Sequence, residues 1–96
     1  MESELVPYDS ADLLIDEETI SGYLSAALES GGVRIIAKAL GAVARARGGV
    51  ERLARDTGIS SEALTRALEE TGNPDFAVVL KIMSALGARL SATMVA

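Results

Sequence analysis

The sequence predicts an all-α domain of five helices, two of them forming a helix-turn-helix, followed by one short C-terminal β-strand. Three observations carry that expectation. Apolar residues recur at helical spacing through most of the chain, as in Ile20, Tyr23, Leu24, Ala27 and Leu28 at i, i+3, i+4, i+7 and i+8. Glycines fall between the periodic stretches, at Gly31–Gly32, Gly48–Gly49, Gly58 and Gly87. The composition is 49% hydrophobic with only two Tyr and one Phe, which favours packed helices over a sandwich or barrel.

At 96 residues the chain makes one domain. Residues 1–16 are read as an acidic arm, with Pro7 and the carboxylates resisting regular structure, and residues 17–96 as the folded domain. The acids from Asp9 to Glu18 do not make a calcium loop, because no glycine stands at the sixth position and no glutamate closes it. Leu13, Leu14 and Ile15 could anchor the arm to the domain or to a partner.

The first helix is expected over Glu17–Ser30, with Asp16, Glu17 and Glu18 at the positive end of its dipole and Gly31–Gly32 stopping it. The second is expected over Val33–Arg47, burying Ile36, Ala39, Leu40, Val43 and Ala46. Val50–Leu68 then reads as two short helices around a tight turn. Leu53 and the small Ala54 face the crossing, Gly58 supplies a positive φ, Ile59 plugs the core, and Ser60 or Ser61 caps the next helix. Leu64 and Leu68 give that helix its buried stripe, leaving Ser61, Glu62, Thr65 and Arg66 outward, where they could enter a major groove.

After a turn at Gly72–Asn73–Pro74, a last helix is expected over Asp75–Leu86, with Phe76, Val79, Leu80, Met83 and Leu86 inward and Gly87 capping it. Arg89 to Met94 alternates polar and apolar residues, the pattern of a strand. A lone strand needs a partner. The simplest is the same strand of a second subunit, which makes Leu90, Ala92 and Met94 candidate dimer contacts.

The net charge of −5 speaks at first against a nucleic-acid partner. The average hides an asymmetry. Residues 1–32 carry eight acids and no base, whereas residues 33–68 carry seven bases against three acids. The positive surplus therefore coincides with the helix-turn-helix, and Arg45, Arg47, Arg52 and Arg55 are candidate phosphate contacts. The negative surplus fits a basic partner, so Asp9, Asp12, Leu13, Leu14, Asp16, Glu17 and Glu18 form a candidate protein-binding segment.

Other classes find little support. The chain has no Cys and no His, so disulfides, thiolate chemistry and imidazole catalysis are excluded. No pair of carboxylate, Lys or Tyr residues converges at acid–base spacing, and no glycine-rich loop follows a strand, so neither an enzyme nor a cofactor site is expected. No apolar run reaches bilayer length, and MESELVPYDS lacks a signal-peptide layout, so a soluble cytoplasmic protein is expected.

Ala39–Leu40–Gly41, Ala44–Arg45–Ala46–Arg47–Gly48, Leu53–Ala54, Gly58, the Gly72–Asn73–Pro74 turn and Leu86–Gly87 together resemble the addiction-module antidote family, the HigA-type antitoxins. The similarity runs from about Tyr8 to Ala92. It implies a lambda-repressor-like fold with a Cro/C1-type helix-turn-helix. It also implies a small basic toxin of the RelE/ParE type as partner, and repression of the shared promoter, usually by a homodimer on double-stranded operator DNA. By this resemblance Ser61, Glu62, Thr65 and Arg66 would read bases, and Ser60 and Asn73 would join the arginines on phosphate. Two residues depart from the wider superfamily. Val50 stands where a phosphate-touching glutamine is common, and Glu62 on the reader face could accept from a cytosine amino group. The alternatives are a stand-alone helix-turn-helix regulator without a toxin, and a helical interaction module that does not bind DNA.

Overall fold

The computed structural model describes residues 16–69 and 73–95. Its elements, in order, are α1 (Glu17–Ser30), α2 (Val33–Ala46), α3 (Gly49–Thr57), α4 (Ser61–Ala67) and α5 (Phe76–Ala85). The bounds of α1 match expectation because both ends carry local signals. The Asp16 carboxylate accepts from the Thr19 N–H at 2.7 Å, and Gly31, at φ 73°, turns the chain out of the helix.

α2 is the most buried helix of the fold. It packs against α1 on one side and α3 on another, and α3 in turn contacts α4 and α5. Ala37, Ala39, Leu40, Gly41, Ala42, Val43 and Ala44 are all buried. That is far more than one stripe of a helix, and the small residues are the reason: Ala and Gly let neighbours close in around most of the circumference. At Gly41 the space for a Cβ lies 3.5 Å from the Leu68 carbonyl oxygen, so the end of α4 rests on α2 there.

Every residue expected to hold the α3–α4 pair in place does so. Leu53 and Leu64 are buried, and Ala54, Ile59 and Leu68 pack half-buried against the same core. Gly58 has φ 76° and closes α3 through its N–H to the Ala54 carbonyl at 2.9 Å. Between the two possible caps the structure selects Ser60, whose Oγ accepts from the Ala63 N–H at 3.1 Å. Burying the Leu64 side chain fully contributes about 1.5–3 kcal/mol by area. It also fixes which side of α4 faces outward.

Three expectations are corrected. First, α2 stops at Ala46, with Arg47 as its C-cap, and α5 starts at Phe76, with the Asp75 carboxylate capping through the Val78 N–H at 3.0 Å. Pro74 thus immediately precedes the cap. Second, α5 is turned by about one residue. Ile82 and Met83 are buried and Val78, Val79, Ala85 and Leu86 pack beside them, while Phe76 is 67% and Leu80 42% exposed. Sequence from Phe76 to Met83 is apolar on nearly every side, so periodicity alone does not orient it.

Third, no strand forms among the described residues, and 88–95 is irregular. α5 ends in a pair of bonds, Gly87 N–H to Ser84 carbonyl at 3.0 Å and Ala88 N–H to Met83 carbonyl at 2.8 Å, with Gly87 at φ 82°. Ala88 and Leu90 then pack on the core, which uses the alternating pattern without any ladder. Ala92 and Met94 are exposed, while Leu90, the third residue expected in strand pairing, is half-buried. No described helix is long and apolar enough to cross a membrane.

Candidate nucleic-acid interface

α3 and α4 are joined by three residues and share the buried Leu53 and Leu64, so their outer sides converge. They enclose a shallow cleft of about 310 Å³ lined by Val50, Glu51, Ser61, Glu62, Thr65 and Arg66. The four residues expected to read bases are therefore together on one surface. Glu62, Thr65 and Arg66 are exposed, and Ser61 is half-buried. The Thr65 hydroxyl donates to the Ser61 carbonyl at 2.7 Å, which holds its side chain against α4 and leaves its lone pairs outward. A guanidinium, a hydroxyl and a carboxylate on one edge of a helix can form directed hydrogen bonds.

Two residues in the cleft were not placed there by sequence reasoning. Val50 packs half-buried on the core and forms the floor. Glu51 lies exposed in the first turn of α3. The signal available for Glu51 was its place in the turn that opens the first helix of the pair.

The phosphate candidates do not form one group. Ser60 is exposed and occupied as the α4 cap, and Asn73 is exposed in the loop before α5. Arg47 reaches Glu17 at 3.8 Å, tying the end of α2 to the start of α1. Arg52 lies 3.9 Å from Asp56, one turn along α3, with its stem over Gly48. Arg47 and Arg52 line a second cleft, of about 330 Å³, with Gly48, Gly49 and Asp56. Arg45 is exposed on the last turn of α2, and its Nη1 lies 3.7 Å from the Cβ position at Gly41. Arg55 is exposed on α3. Of the two acids, Glu17 and Asp56, only Glu17 comes from outside residues 33–68, so folding offsets the positive surplus of that stretch at Arg47.

At the other end, Asp16, Glu17 and Glu18 stand exposed at the start of α1. The hydrogen bonds from Thr19 hold the Asp16 carboxyl below its ordinary value of 3.8. Asp9, Asp12, Leu13 and Leu14 lie outside the described residues, as does Gly72 of the expected turn.

Comparison with known proteins places this geometry in context. No solved structure matches the chain significantly. A protein of Haemophilus influenzae, itself called uncharacterized, is 46% identical over 86 residues, covering 90% of this chain and 88% of that protein. Residues 4–94 match a family described as "probable addiction module antidote protein". That span takes in all five helices and the whole α3–α4 cleft, and the chain belongs to this family of probable addiction module antidote proteins.

Proposed function

We propose that this protein is the antitoxin of a type II toxin–antitoxin module, which neutralises a RelE/ParE-type toxin by direct binding and represses its own promoter through α3 and α4. Membership of an antidote family implies a toxin as partner. The observation that carries the DNA half is the cleft in which Ser61, Glu62, Thr65 and Arg66 stand together on an exposed, capped helix anchored by Leu64. In this reading α3–turn–α4 is a helix-turn-helix of the Cro/C1 type, and α4 enters the major groove. Arg66 pairs with a guanine edge, each good bidentate contact giving about 1–3 kcal/mol of discrimination.

Arg47 and Arg52 lie beside Glu17 and Asp56, and the chain is acidic as a whole, so attraction to phosphate is modest per protomer. Binding as a homodimer over a palindrome supplies the missing affinity. Toxin binding falls to the acidic segment and the start of α1, where Asp16, Glu17 and Glu18 are exposed and can steer a basic surface.

The test has two arms. Co-expression with the product of the adjacent small open reading frame should yield a complex that survives high salt, and that product alone should arrest growth. On a fragment of the protein's own promoter, Arg66→Ala should cost about tenfold or more in affinity with little change in salt slope. Unchanged affinity for the promoter site would remove base reading by Arg66. A second reading, a helical interaction module without DNA binding, is favoured by Glu51 and Glu62 in the cleft. It predicts no shift of any duplex even at low salt. A stand-alone regulator predicts that deleting residues 1–16 changes nothing beyond stability.

A further inference from the structure

We infer that Glu51 and Glu62 act with Arg66 to make the α3–α4 cleft a reader of C·G base pairs, the two carboxylates accepting hydrogen bonds from cytosine amino groups. This rests on the DNA-reading proposal and extends it to the kind of base pair read. The observation is a juxtaposition of charges from two helices. Glu51 comes from the first turn of α3, Glu62 from the first turn of α4, and both line one cleft with the Arg66 guanidinium. Among the described residues none of the three is held in an ion pair, although Arg55 stands one turn along α3 from Glu51. An acid in a first turn suits the helix dipole, and that accounts for either glutamate alone. It does not account for two acids on different helices facing the cleft that holds Arg66.

A duplex offers a carboxylate very little. Phosphates repel it, and guanine N7 and O6, adenine N7 and thymine O4 are all acceptors. The donors in the major groove are the amino groups of cytosine and adenine. Adenine sets its amino group beside N7, so a carboxylate there meets lone pair with lone pair. Cytosine presents its amino group with guanine O6 on one flank but only the C5–H edge on the other, so a carboxylate can approach from that side without meeting a ring nitrogen. A docked carboxylate is therefore satisfied over cytosine and left unpaired elsewhere. Arg66, with its fork matched to guanine O6 and N7, favours the other base of the same pair. The acids also weaken sequence-independent binding, because they stand where phosphate attraction would otherwise be strongest.

A randomised duplex library, selected by the full chain and sequenced, tests this. The native protein is compared with the Glu51→Gln/Glu62→Gln double variant, whose side chains keep nearly the same shape and whose amides fit the adenine edge instead. Circular dichroism on both confirms equal helix content. The native chain should recover sites with invariant C·G pairs. The double variant should lose its cytosine preference at those positions by about tenfold or more, with adenine rising in its place. Its affinity for unselected duplex should increase. A native site recovered by the double variant with unchanged preferences would overturn the inference and leave DNA reading standing. A native chain that enriches nothing would overturn both.

Discussion

α4 and α5 are both short helices that bury one side and expose the other, yet only α4 could be oriented from its residues. α4 has a single large apolar residue in its interior, Leu64, and its other side is Ser61, Glu62, Thr65 and Arg66. The contrast between the two sides is sharp, so burial and exposure fall where the pattern puts them. α5 reads Phe76 to Met83 with Lys81 as its only charge. Several faces of it could have been buried at similar gain, and the core took the one bearing Ile82 and Met83, leaving Phe76 and Leu80 outside. Hydrophobicity tells how much of a helix wants burial. Contrast around the helix tells which side obtains it.

Substitutions on the two helices should differ widely in effect, and the largest is expected at Leu64. Leu64→Ala removes the fully buried anchor of α4 and should lower stability by about 2–5 kcal/mol, read from urea denaturation. A loss below about 1 kcal/mol would mean that α4 is held by its connections and not by packing. Gly58→Ala comes next. No atom obstructs a Cβ there, so the cost is that of a non-glycine residue at φ 76°, about 1–2 kcal/mol. Ser60→Ala should cost about 1 kcal/mol by freeing the Ala63 N–H, and Ser60→Asp should restore it.

On α5 the same kind of substitution should do almost nothing. Phe76→Ser with Leu80→Ser should shift the stability of dilute protein by no more than about 0.5 kcal/mol per site, since both are exposed. A drop of several kcal/mol would show that the pair is covered in the species measured, and its dependence on protein concentration would show whether a second copy covers it.

The smallest effect concerns pH. The Asp16 carboxyl titrates below its ordinary value, so the stability it lends α1 is complete above about 3.8 and is lost as pH falls through the lowered folded value. The Thr19 amide resonance should follow that titration. Asp16→Asn should abolish the inflection while keeping the cap.

Legibility differed by region for the same physical reason. The ends of α1 were readable to the residue because capping is local, with Asp16 and Gly31 acting on neighbours within one turn. The outward placement of Ser61, Glu62, Thr65 and Arg66 was readable because amphipathic contrast is local to α4. The surroundings of Arg47 were not. Arg47 meets Glu17 only because α1 packs on α2, and no count of charges along the chain contains that contact. Glu51 enters the cleft for a similar reason, through the approach of α3 to α4. The alternation from Arg89 to Met94 was real, but of its apolar members Leu90 packs on the core beside Ala88 while Ala92 and Met94 stay exposed.

Chemistry local to the chain was enough for the five helices among the described residues, the bounds of α1, the turn at Gly58, the anchor at Leu64 and the polar side of α4. All of these follow from interactions within a few residues or from one strong contrast. Tertiary packing settled which face of α5 is buried, that Ala88 and Leu90 lie on the core, that Arg47 meets Glu17, and that Glu51 and Glu62 share a cleft with Arg66. Each of those depends on where a distant element packs, and the free energy of that packing is spread over the whole core and not written in any one segment.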